Sequence, residues 1–437
     1  MNKSNSAAFT IYNSNEIVEA LVGLKDVRVI SYNRVEREVF LLIDQVVTNP
    51  RCPSCGDRAN IHDRPIVSYI DLPVFATPMK LKWKKHRLRC DNDNCSTKTW
   101  TLLDHRIAAK GVLLTTRAAK WATRQVGGGR TIKEVADELS CYWHTICDAV
   151  TTYGNALIEA DHRRLNKTNA IGLDETSFVR LDKGQMSYAT TICDVSNHQI
   201  IDILPTRNYQ DVAKWIMDHS LTWRNNITYG ALDLSATYNA VYKVTLPKAL
   251  RVADPFHVVA LANRALDQTR RRVQNETTSH RGRRDDPLYR ARRILLAAEE
   301  NLSTTASEKL ATFLALGDPN AEVAITYSFK EAIRRYYQVD SHEEAKEVLY
   351  ELIDQAKRKH MPYEVQRLGR TIERWFEQIH NYHIAKVSNG PTEAINNLIK
   401  RVKRVGFGFR NFDNYRIRVL LYCGKPNWKV LDSMVVR

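Results

Sequence analysis

Three carboxylates lie in sequence contexts that would allow the fold to bring them together at one metal site. Asp174 lies inside the apolar run IGLDETSF, where an isolated carboxylate is unfavourable unless it is paired or bound to a cation. Asp233 ends the run ITYGALDL, and ligands of open α/β sheets bind at strand ends. Glu393 falls in the first turn of a helix that opens near Gly390, although the helix dipole would also favour a Glu there. Such a set suits two Mg²⁺ (or Mn²⁺) ions that promote in-line displacement at phosphorus.

Other polar residues near these carboxylates have simpler explanations. Strand alternation places Glu175 on the face opposite Asp174, so only one of the two can face a shared site. Asp254 and His257 follow the last strand and could lie near the metals. A helix cap is the simpler role for Asp254, and a lone His is usually structural.

Four of the eight cysteines form two close pairs, Cys52-x2-Cys55 and Cys90-x4-Cys95. Two such knuckles can converge on one tetrahedral ion, and Zn²⁺ binds thiolates without redox chemistry. In the reducing cytoplasm, paired cysteines are better interpreted as metal ligands than as disulfides. We therefore predict one structural zinc site in residues 50–100. His62 or His86 could replace one cysteine as a ligand.

The stretch RTIKEVADELSCYWHTICDAVTTYG has the pattern of two amphipathic helices around a short turn near Ser140. The apolar positions of the two helices are Ile132, Val135, Ala136 and Leu139, then Trp143, Ile146, Val150 and Tyr153. This pattern fits a helix-turn-helix whose second helix enters the major groove of DNA, and it also occurs in helical bundles that bind no DNA. The residues of this half that we expect to contact DNA are Lys82, Lys84, Arg124, Lys133, Tyr142, Trp143 and His144.

Basic residues also recur in the C-terminal half, where a solvated helix face is the alternative to DNA binding. Arg270 and Arg271 belong to an Arg-dense patch between Arg264 and Arg293. On the Glu393 helix, Asn396 or Asn397 shares a face with basic residues one and two turns later. The DNA-binding positions expected there are Asn397, Lys400, Arg401, Arg404 and Arg410. Interleaved aromatics, namely Phe407, Phe409, Phe412 and Tyr415, could stack on unpaired bases or simply pack in the core.

The coarse pattern of elements indicates an α/β protein. Residues 27–47 predict two strands with a break near Asn33, and Met79, Leu81 and Trp83 alternate with lysines on a further strand. Residues 169–254 predict three consecutive strands and then β-α-β-α order, which indicates a mixed sheet. Residues 256 to about 385 lose the strand pattern and are mostly helical.

Size and charge limit the possible functions. With 437 residues, the chain exceeds what one core usually organises, so we expect two or three domains. The net charge of +16 favours a polyanionic partner, because each neutralised phosphate releases counterions. The N-terminal stretch lacks an uninterrupted apolar region, and no run of apolar residues is long enough for a membrane span, so we expect a cytoplasmic protein that does not enter membranes.

The motifs CPSCG, RLRCDNDNC, GLDETSF, ALDLS, ADPFHV and SNGPTEAINNLIKRVKRVGFGFRNFDNYRIRVLL resemble those of the ISL3 family of bacterial insertion-sequence DDE transposases. The resemblance covers nearly the whole chain. It implies a ribonuclease-H-like catalytic core interrupted by a helical insertion and preceded by a zinc-ribbon-like unit and a helix-turn-helix. It also implies that Asp174, Asp233 and Glu393 are the metal-binding catalytic carboxylates.

On this basis we divide the chain into five parts. They are a strand and zinc-binding domain (1–105), a helix-turn-helix domain (106–165), the first part of the core (166–260), a helical insertion (261–385) and the C-terminal part of the core (386–437). The expected partners are the inverted-repeat ends of the element and target DNA as duplexes, with the protein acting as a homodimer or larger assembly. A non-catalytic DNA-binding regulator and a junction-resolving nuclease are the alternative functions.

Overall fold

The computed structural model describes residues 19, 22–24, 26–165, 168–180, 186–280 and 282–435. Most of the first 25 residues of the predicted 1–105 domain lie outside this range. The described residues form two compact units. The first unit extends to His162 and resumes at Arg401, and the second is Arg163–Lys400.

The elements are numbered in chain order. The strands are β1 (Val27–Val35), β2 (Glu38–Gln45), β3 (Ala59–Asp63), β4 (Ile66–Val74), β5 (Thr77–Lys84), β6 (Arg87–Cys90), β7 (Thr99–Thr101), β8 (Ala170–Arg180), β9 (Met186–Asp194), β10 (Gln199–Leu204), β11 (Tyr229–Leu232) and β12 (Leu250–Ala253). The helices are α1 (Thr116–Gly127), α2 (Ile132–Glu138), α3 (Trp143–Ala160), α4 (Tyr209–Met217), α5 (Leu221–Asn226), α6 (Ala236–Thr245), α7 (Pro255–Thr278), α8 (Pro287–Ala291), α9 (Thr304–Gly317), α10 (Glu322–Tyr336), α11 (His342–Lys357), α12 (Tyr363–Arg374), α13 (Phe376–Ala385), α14 (Gly390–Val405), α15 (Phe412–Cys423) and α16 (Trp428–Ser433). None of the described helices is both long and apolar enough to cross a membrane.

The first unit begins with a four-stranded sheet of order β1-β2-β5-β4 and a three-stranded sheet of order β3-β6-β7. The β1–β2 hairpin turns at Glu36 and Arg37, so the predicted break near Asn33 is wrong. Asn33 pairs with Phe40 inside the hairpin, and the left-handed φ of +52° at Glu36 closes the turn instead. On β5, the alternation of buried Met79, Leu81 and Trp83 with lysines is confirmed.

Helices α1, α2 and α3 pack together in the first unit. Thr131 caps α2 with its side chain and forms a capping box with Glu134. Ser140 has a left-handed φ of +49° in the turn before α3, where the break was predicted. The predicted apolar positions are buried, except that Trp143 at the start of α3 is 51% exposed.

The second unit is built on a five-stranded mixed sheet of order β10-β9-β8-β11-β12. Strands β8, β9 and β10 are antiparallel, while β11 lies parallel to both β8 and β12. This arrangement confirms the predicted α/β class and mixed sheet. Residues 255–385 are mostly helical, as predicted, and Arg272 of α7 joins α10 and α12 through Glu322 and Glu364. Helix α14 belongs to the second unit up to Lys400 and to the first from Arg401.

Candidate metal and catalytic sites

The four predicted cysteines converge at one place in the first unit. The sulfur atoms of Cys52, Cys55, Cys90 and Cys95 all lie within 4.8 Å of one another. The Cys52–Cys95 and Cys55–Cys90 sulfur separations are 3.7 and 3.5 Å. A tetrahedron with Zn–S bonds of about 2.3 Å has edges of about 3.8 Å, so this cluster has the donor atoms and the spacing that a structural Zn²⁺ site needs.

Local backbone geometry builds the first cysteine knuckle. Gly56 has a φ of +79° and its N–H donates to the Cys52 carbonyl, a turn that a residue with a Cβ adopts only with strain. The backbone N–H of Cys55 lowers the pKa of the Cys52 thiol to about 7, whereas burial and the neighbouring thiols raise the pKa of Cys55 and Cys90, so Cys52 is the first of these three to ionise without metal. His62 and His86 do not belong to the cluster. His86 is bonded to Asp44 through Nε2 at 2.8 Å.

Asp174 and Asp233 lie at neighbouring positions of the second unit's sheet. Leu173 of β8 pairs with Leu232 of β11 in parallel register, and each Asp is the next residue in its chain. Asp174 accepts hydrogen bonds from the Glu175 backbone N–H and from Asn396 Nδ2, both at 2.7 Å. The Oδ1 atom of Asp233 is buried and has no hydrogen-bond partner within the described residues.

The charges of these two carboxylates disfavour each other. Burial, and next the charge of Asp233, raise the pKa of Asp174 to about 6. Burial also raises the pKa of Asp233, while His257 opposes that rise. Two crowded, partly desolvated carboxylates with an unsatisfied oxygen are a donor set that fits a hard divalent cation.

Asp254 and His257 lie close to this pair. Asp254 occupies the N-cap position of α7, but its side chain makes no cap hydrogen bond. It instead contacts His257 Nδ1 at 3.1 Å, so a side-chain cap is the wrong role for it. The Asp254 contact, together with the charges of Asp233 and Asp174, raises the pKa of His257. The predicted position of Asp254 and His257 near the carboxylates agrees with these interactions, whereas the pairing of His257 with Asp254 was not predicted.

The two faces of the sheet separate Asp174 from Glu175. The β9 partner of Asp174 is Thr191, whose hydroxyl donates to Asn396 of α14. The partner of Glu175 is Thr190, whose hydroxyl bonds to Tyr238 of α6. The predicted separation of the two carboxylates is therefore confirmed, and Glu175 forms an ion pair with Arg207 at 3.1 Å.

Helix α14 packs closely against β8. The side chains of Asn389 and Thr392 lie over Gly172, where a Cβ would come within 2.5 Å of the Asn389 Oδ1. The Asn389 Oδ1 and Thr392 Oγ1 atoms are buried without hydrogen-bond partners in the described part of the chain. One turn later, Asn396 reaches Asp174. Gly172 therefore permits the close contact that brings α14 to the carboxylate pair.

Glu393 lies on the exposed side of α14. Its carboxylate makes no hydrogen bond or ion pair within the described residues, and no cluster of three ligand atoms there includes it. The structure thus brings Asp174 and Asp233 together and leaves Glu393 outside contact distance. Asn396, which the sequence did not separate from Asn397, is the α14 residue that touches Asp174.

The residues predicted to bind DNA in the first unit have different environments. Lys82 lies over the Phe40 ring at 4.6 Å, and Lys84 is half-buried on the same strand. Arg124 donates to the Trp428 carbonyl and to Asp432, and Lys133 pairs with Asp137. Tyr142 and His144 are exposed and stacked on each other at 5.6 Å.

Of the C-terminal residues predicted to bind DNA, some are exposed and others are bonded to neighbouring side chains. Arg270 is buried and bonded to Asp267 and Gln274, whereas Arg271 is exposed and paired with Asp267. The exposed face of α14 that includes Glu393 also carries Asn397, Lys400, Arg401 and Arg404. Arg410 is exposed in the turn that follows this helix.

Comparisons with known proteins match the segments of the chain that contain these candidate sites. The model of the ISL3 transposase family matches residues 171–419, which contain both candidate aspartates and Glu393. A second model, described as the zinc-finger of transposase IS204/IS1001/IS1096/IS1165, matches residues 48–95 and thus the four cysteines.

Two curated relatives are transposases of insertion sequences. The transposase for IS1557 of Mycobacterium tuberculosis is 29% identical over 297 residues, which are 63% of this chain and 65% of the relative. The transposase for IS1001 of Bordetella parapertussis is 24% identical over 383 residues, 84% of this chain and 87% of the relative. This chain therefore spans just under two thirds of the Mycobacterium relative. Because the family model covers more than half of the chain, the protein belongs to the ISL3 family of insertion-sequence transposases.

Proposed function

We propose that this protein is a DDE transposase that binds the inverted ends of its insertion sequence and catalyses metal-dependent DNA cleavage and strand transfer. The observation that carries the proposal is the carboxylate pair at the point where the parallel pairing of β8 with β11 ends. The raised pKa of Asp174 and the unsatisfied Asp233 oxygen support a cation between the two.

In this proposal, Asp174, Asp233 and Glu393 hold the metal ions. Bound Mg²⁺ or Mn²⁺ would activate a water molecule, or the 3′-hydroxyl of the DNA, as the nucleophile and would stabilise the leaving oxygen. Asn396 orients Asp174 by donating to its Oδ2, which keeps the other lone pairs of that carboxylate available. Glu393 is exposed in this structure, so it completes the site only after a shift of its side chain or of α14.

We further propose that the mixed sheet is a ribonuclease-H-like core and that the helical segment 261–385 is an insertion into it. The sheet order, with three antiparallel strands followed by two parallel ones, supports this assignment. The helices α2 and α3, joined by a short turn, support a helix-turn-helix in residues 106–165. The same proposal includes a strand and zinc-binding domain at 1–105. It also assigns residues 166–260 and 386–437 to the first and the C-terminal part of the core.

Double-stranded DNA is the proposed partner, contacted by the exposed cations of α14 and by the start of α3. Both ends of the element must be held together for transposition, so a homodimer or larger assembly on DNA is part of the proposal. So is a cytoplasmic location, where the element's DNA is accessible.

The test is to incubate the purified chain with a duplex of its own element's end and Mg²⁺, and to map the products. The proposal predicts cleavage at the boundary of the element that leaves a 3′-hydroxyl, followed by joining of that end to a second duplex. If the chain binds the end duplex but cuts it with neither Mg²⁺ nor Mn²⁺, the alternative of a non-catalytic DNA-binding regulator replaces the proposal.

A further inference from the structure

A cavity of about 340 Å³ lies in the first unit, between the helices α2 and α3 and the glycine-rich turn that joins α14 to α15. This volume is at the lower end of the range for small-ligand pockets, about 300–1,000 Å³. Its walls are mainly apolar and aromatic, with Trp143, Phe409 and Ile417 among the lining residues. The residues that line the cavity belong to the first unit, and the carboxylate pair belongs to the second.

Phe407 stands at the rim of this cavity and is 95% exposed. Its φ of +52° is left-handed, a conformation that is unfavourable for a bulky residue. Next to it, Gly406 allows the ring of Phe409 to approach within 2.7 Å of where a Cβ would lie. The turn is therefore built so that Phe409 packs inward and Phe407 points away from the core.

The charged residues that line the cavity are all cations. They are Lys133, Arg410 and Arg418, and the described lining includes no Asp or Glu. Lys133 is paired with Asp137, and Arg410 is exposed. Arg418 is buried, lies over the Phe409 ring at 5.5 Å, and forms no ion pair among the residues that the structure describes. A buried cation without a carboxylate, beside an exposed aromatic ring, complements an anion that carries a flat apolar group.

We propose that this cavity binds an unpaired nucleotide of DNA, with the base stacked between Phe407 and Trp143 and the phosphate facing Arg410 and Arg418. Stacking on aromatic rings is tolerant of base identity, so the site would recognise a strand that has left the duplex and not a particular sequence. The inference rests on the proposed DNA binding. It adds that the unit carrying α2 and α3 distinguishes unpaired from paired DNA.

The experiment compares two duplexes of the same sequence, one blunt and one with a short 3′ single-stranded overhang that carries 2-aminopurine. Full-length protein is titrated without Mg²⁺, so that no cleavage occurs. We expect the overhang to bind about tenfold more tightly than the blunt duplex, and the unpaired 2-aminopurine to lose most of its fluorescence by stacking.

Phe407→Ala should remove both the tighter binding and the quenching while leaving blunt-duplex binding unchanged, and Phe407→Trp should retain both. Phe75→Ala is the matched control, because Phe75 is 98% exposed, has a φ of +48° and does not line the cavity. Equal binding of the two duplexes, or quenching that survives Phe407→Ala, overturns the inference. So does a change in oligomeric state as the only effect of Phe407→Ala, which would identify a protein surface as the occupant. Failure to bind even the blunt duplex overturns the proposed function itself.

Discussion

Asp174 is suited to binding a cation, but its negative charge lowers the stability of the folded protein. Its carboxylate is partly buried beside a second carboxylate, and both burial and the Asp233 charge raise its pKa to about 6. The unfolded chain has an Asp pKa near its ordinary value of about 3.9. At neutral pH, the ionised carboxylate of Asp174 therefore destabilises the folded protein when no metal is bound.

This charge predicts that Asp174→Asn stabilises the metal-free protein. A raised folded-state pKa means that ionisation opposes folding, a cost absent below about pH 4 and complete above about pH 6. Asparagine removes this cost, and a flip of the Asn396 amide lets its Oδ1 accept from the new side-chain NH2 while its Nδ2 donates to the Thr191 hydroxyl. We therefore expect a gain on the order of 1–2 kcal/mol in the free energy of unfolding at pH 7.5. Chemical denaturation of both proteins at pH 7.5 and pH 4 measures it.

The two pH values serve as an internal control, because the difference between the proteins should disappear at pH 4. Adding Mg²⁺ should narrow the gap at pH 7.5 by stabilising only the wild type. Equal stabilities at pH 7.5, or a less stable variant, would contradict the prediction. Either result would show that ionised Asp174 does not destabilise the metal-free protein.

At the scale of elements, the contact between α14 and β8 sets how close the α14 side chains come to the aspartate pair. Asn389 and Thr392 pack over Gly172, and Asn396 bonds to Asp174 one turn later. The periodicity of the sequence identified the α14 helix and its exposed basic face. It could not distinguish Asn396 from Asn397, because either fits a helical face until the packing partner is known.

Gly172→Ala should therefore impair catalysis without touching a catalytic group. The new Cβ would collide with the Asn389 and Thr392 side chains, so α14 must move away from β8. We expect a stability loss of about 1–3 kcal/mol and at least a tenfold slower cleavage, with DNA affinity unchanged.

The matched control for this substitution is Gly390→Ala on the same helix, where the nearest atom to a new Cβ is Ser388 Oγ at 3.4 Å. This variant should cut DNA at nearly the wild-type rate. Cleavage assays and thermal melts of both variants test the prediction. Full activity of Gly172→Ala would mean that the α14–β8 spacing is unimportant.

The zinc ribbon is a second element whose integrity depends on few residues. We expect about one Zn²⁺ per chain by metal analysis, and loss of that metal in Cys90→Ser because three thiolates bind zinc less tightly than four. Cys141→Ser is the control, since Cys141 lies outside the cluster. Retention of zinc by Cys90→Ser would exclude the four-cysteine site.

For the whole molecule, the net charge of +16 predicts DNA binding that weakens with salt. Arg404→Gln on the exposed face of α14 should lower the slope of log affinity against log salt concentration by about 0.9. Arg272→Gln should leave the slope unchanged and lower the melting temperature, because Glu322 and Glu364 already bind that guanidinium. If Arg272→Gln lowered the slope and Arg404→Gln did not, the DNA would contact the helical segment 261–385 and not α14.

Prediction from the sequence succeeded for local patterns and failed where a residue's role depends on tertiary packing. Strand and helix patterns gave the α/β class, the mixed sheet and the cysteine cluster, because each follows from periodicity or spacing. The Arg-dense patch could not be interpreted in this way. Whether Arg270 faces solvent or Asp267 depends on tertiary packing, and the same is true of His257 and its Asp254 partner.

The most direct test of the central claim is the cleavage and strand-transfer activity of Glu393→Gln on the cognate end duplex with Mg²⁺. Glutamine keeps the helix propensity and size of glutamate but removes the charge that binds a hard cation. If Glu393 joins Asp174 and Asp233 at one metal site, the variant should fold and bind DNA like the wild type and lose both activities. Asp174→Asn and Asp233→Asn should behave alike, and Glu175→Gln, on the opposite sheet face, should retain most activity. Cleavage by Glu393→Gln at the wild-type rate would contradict the account.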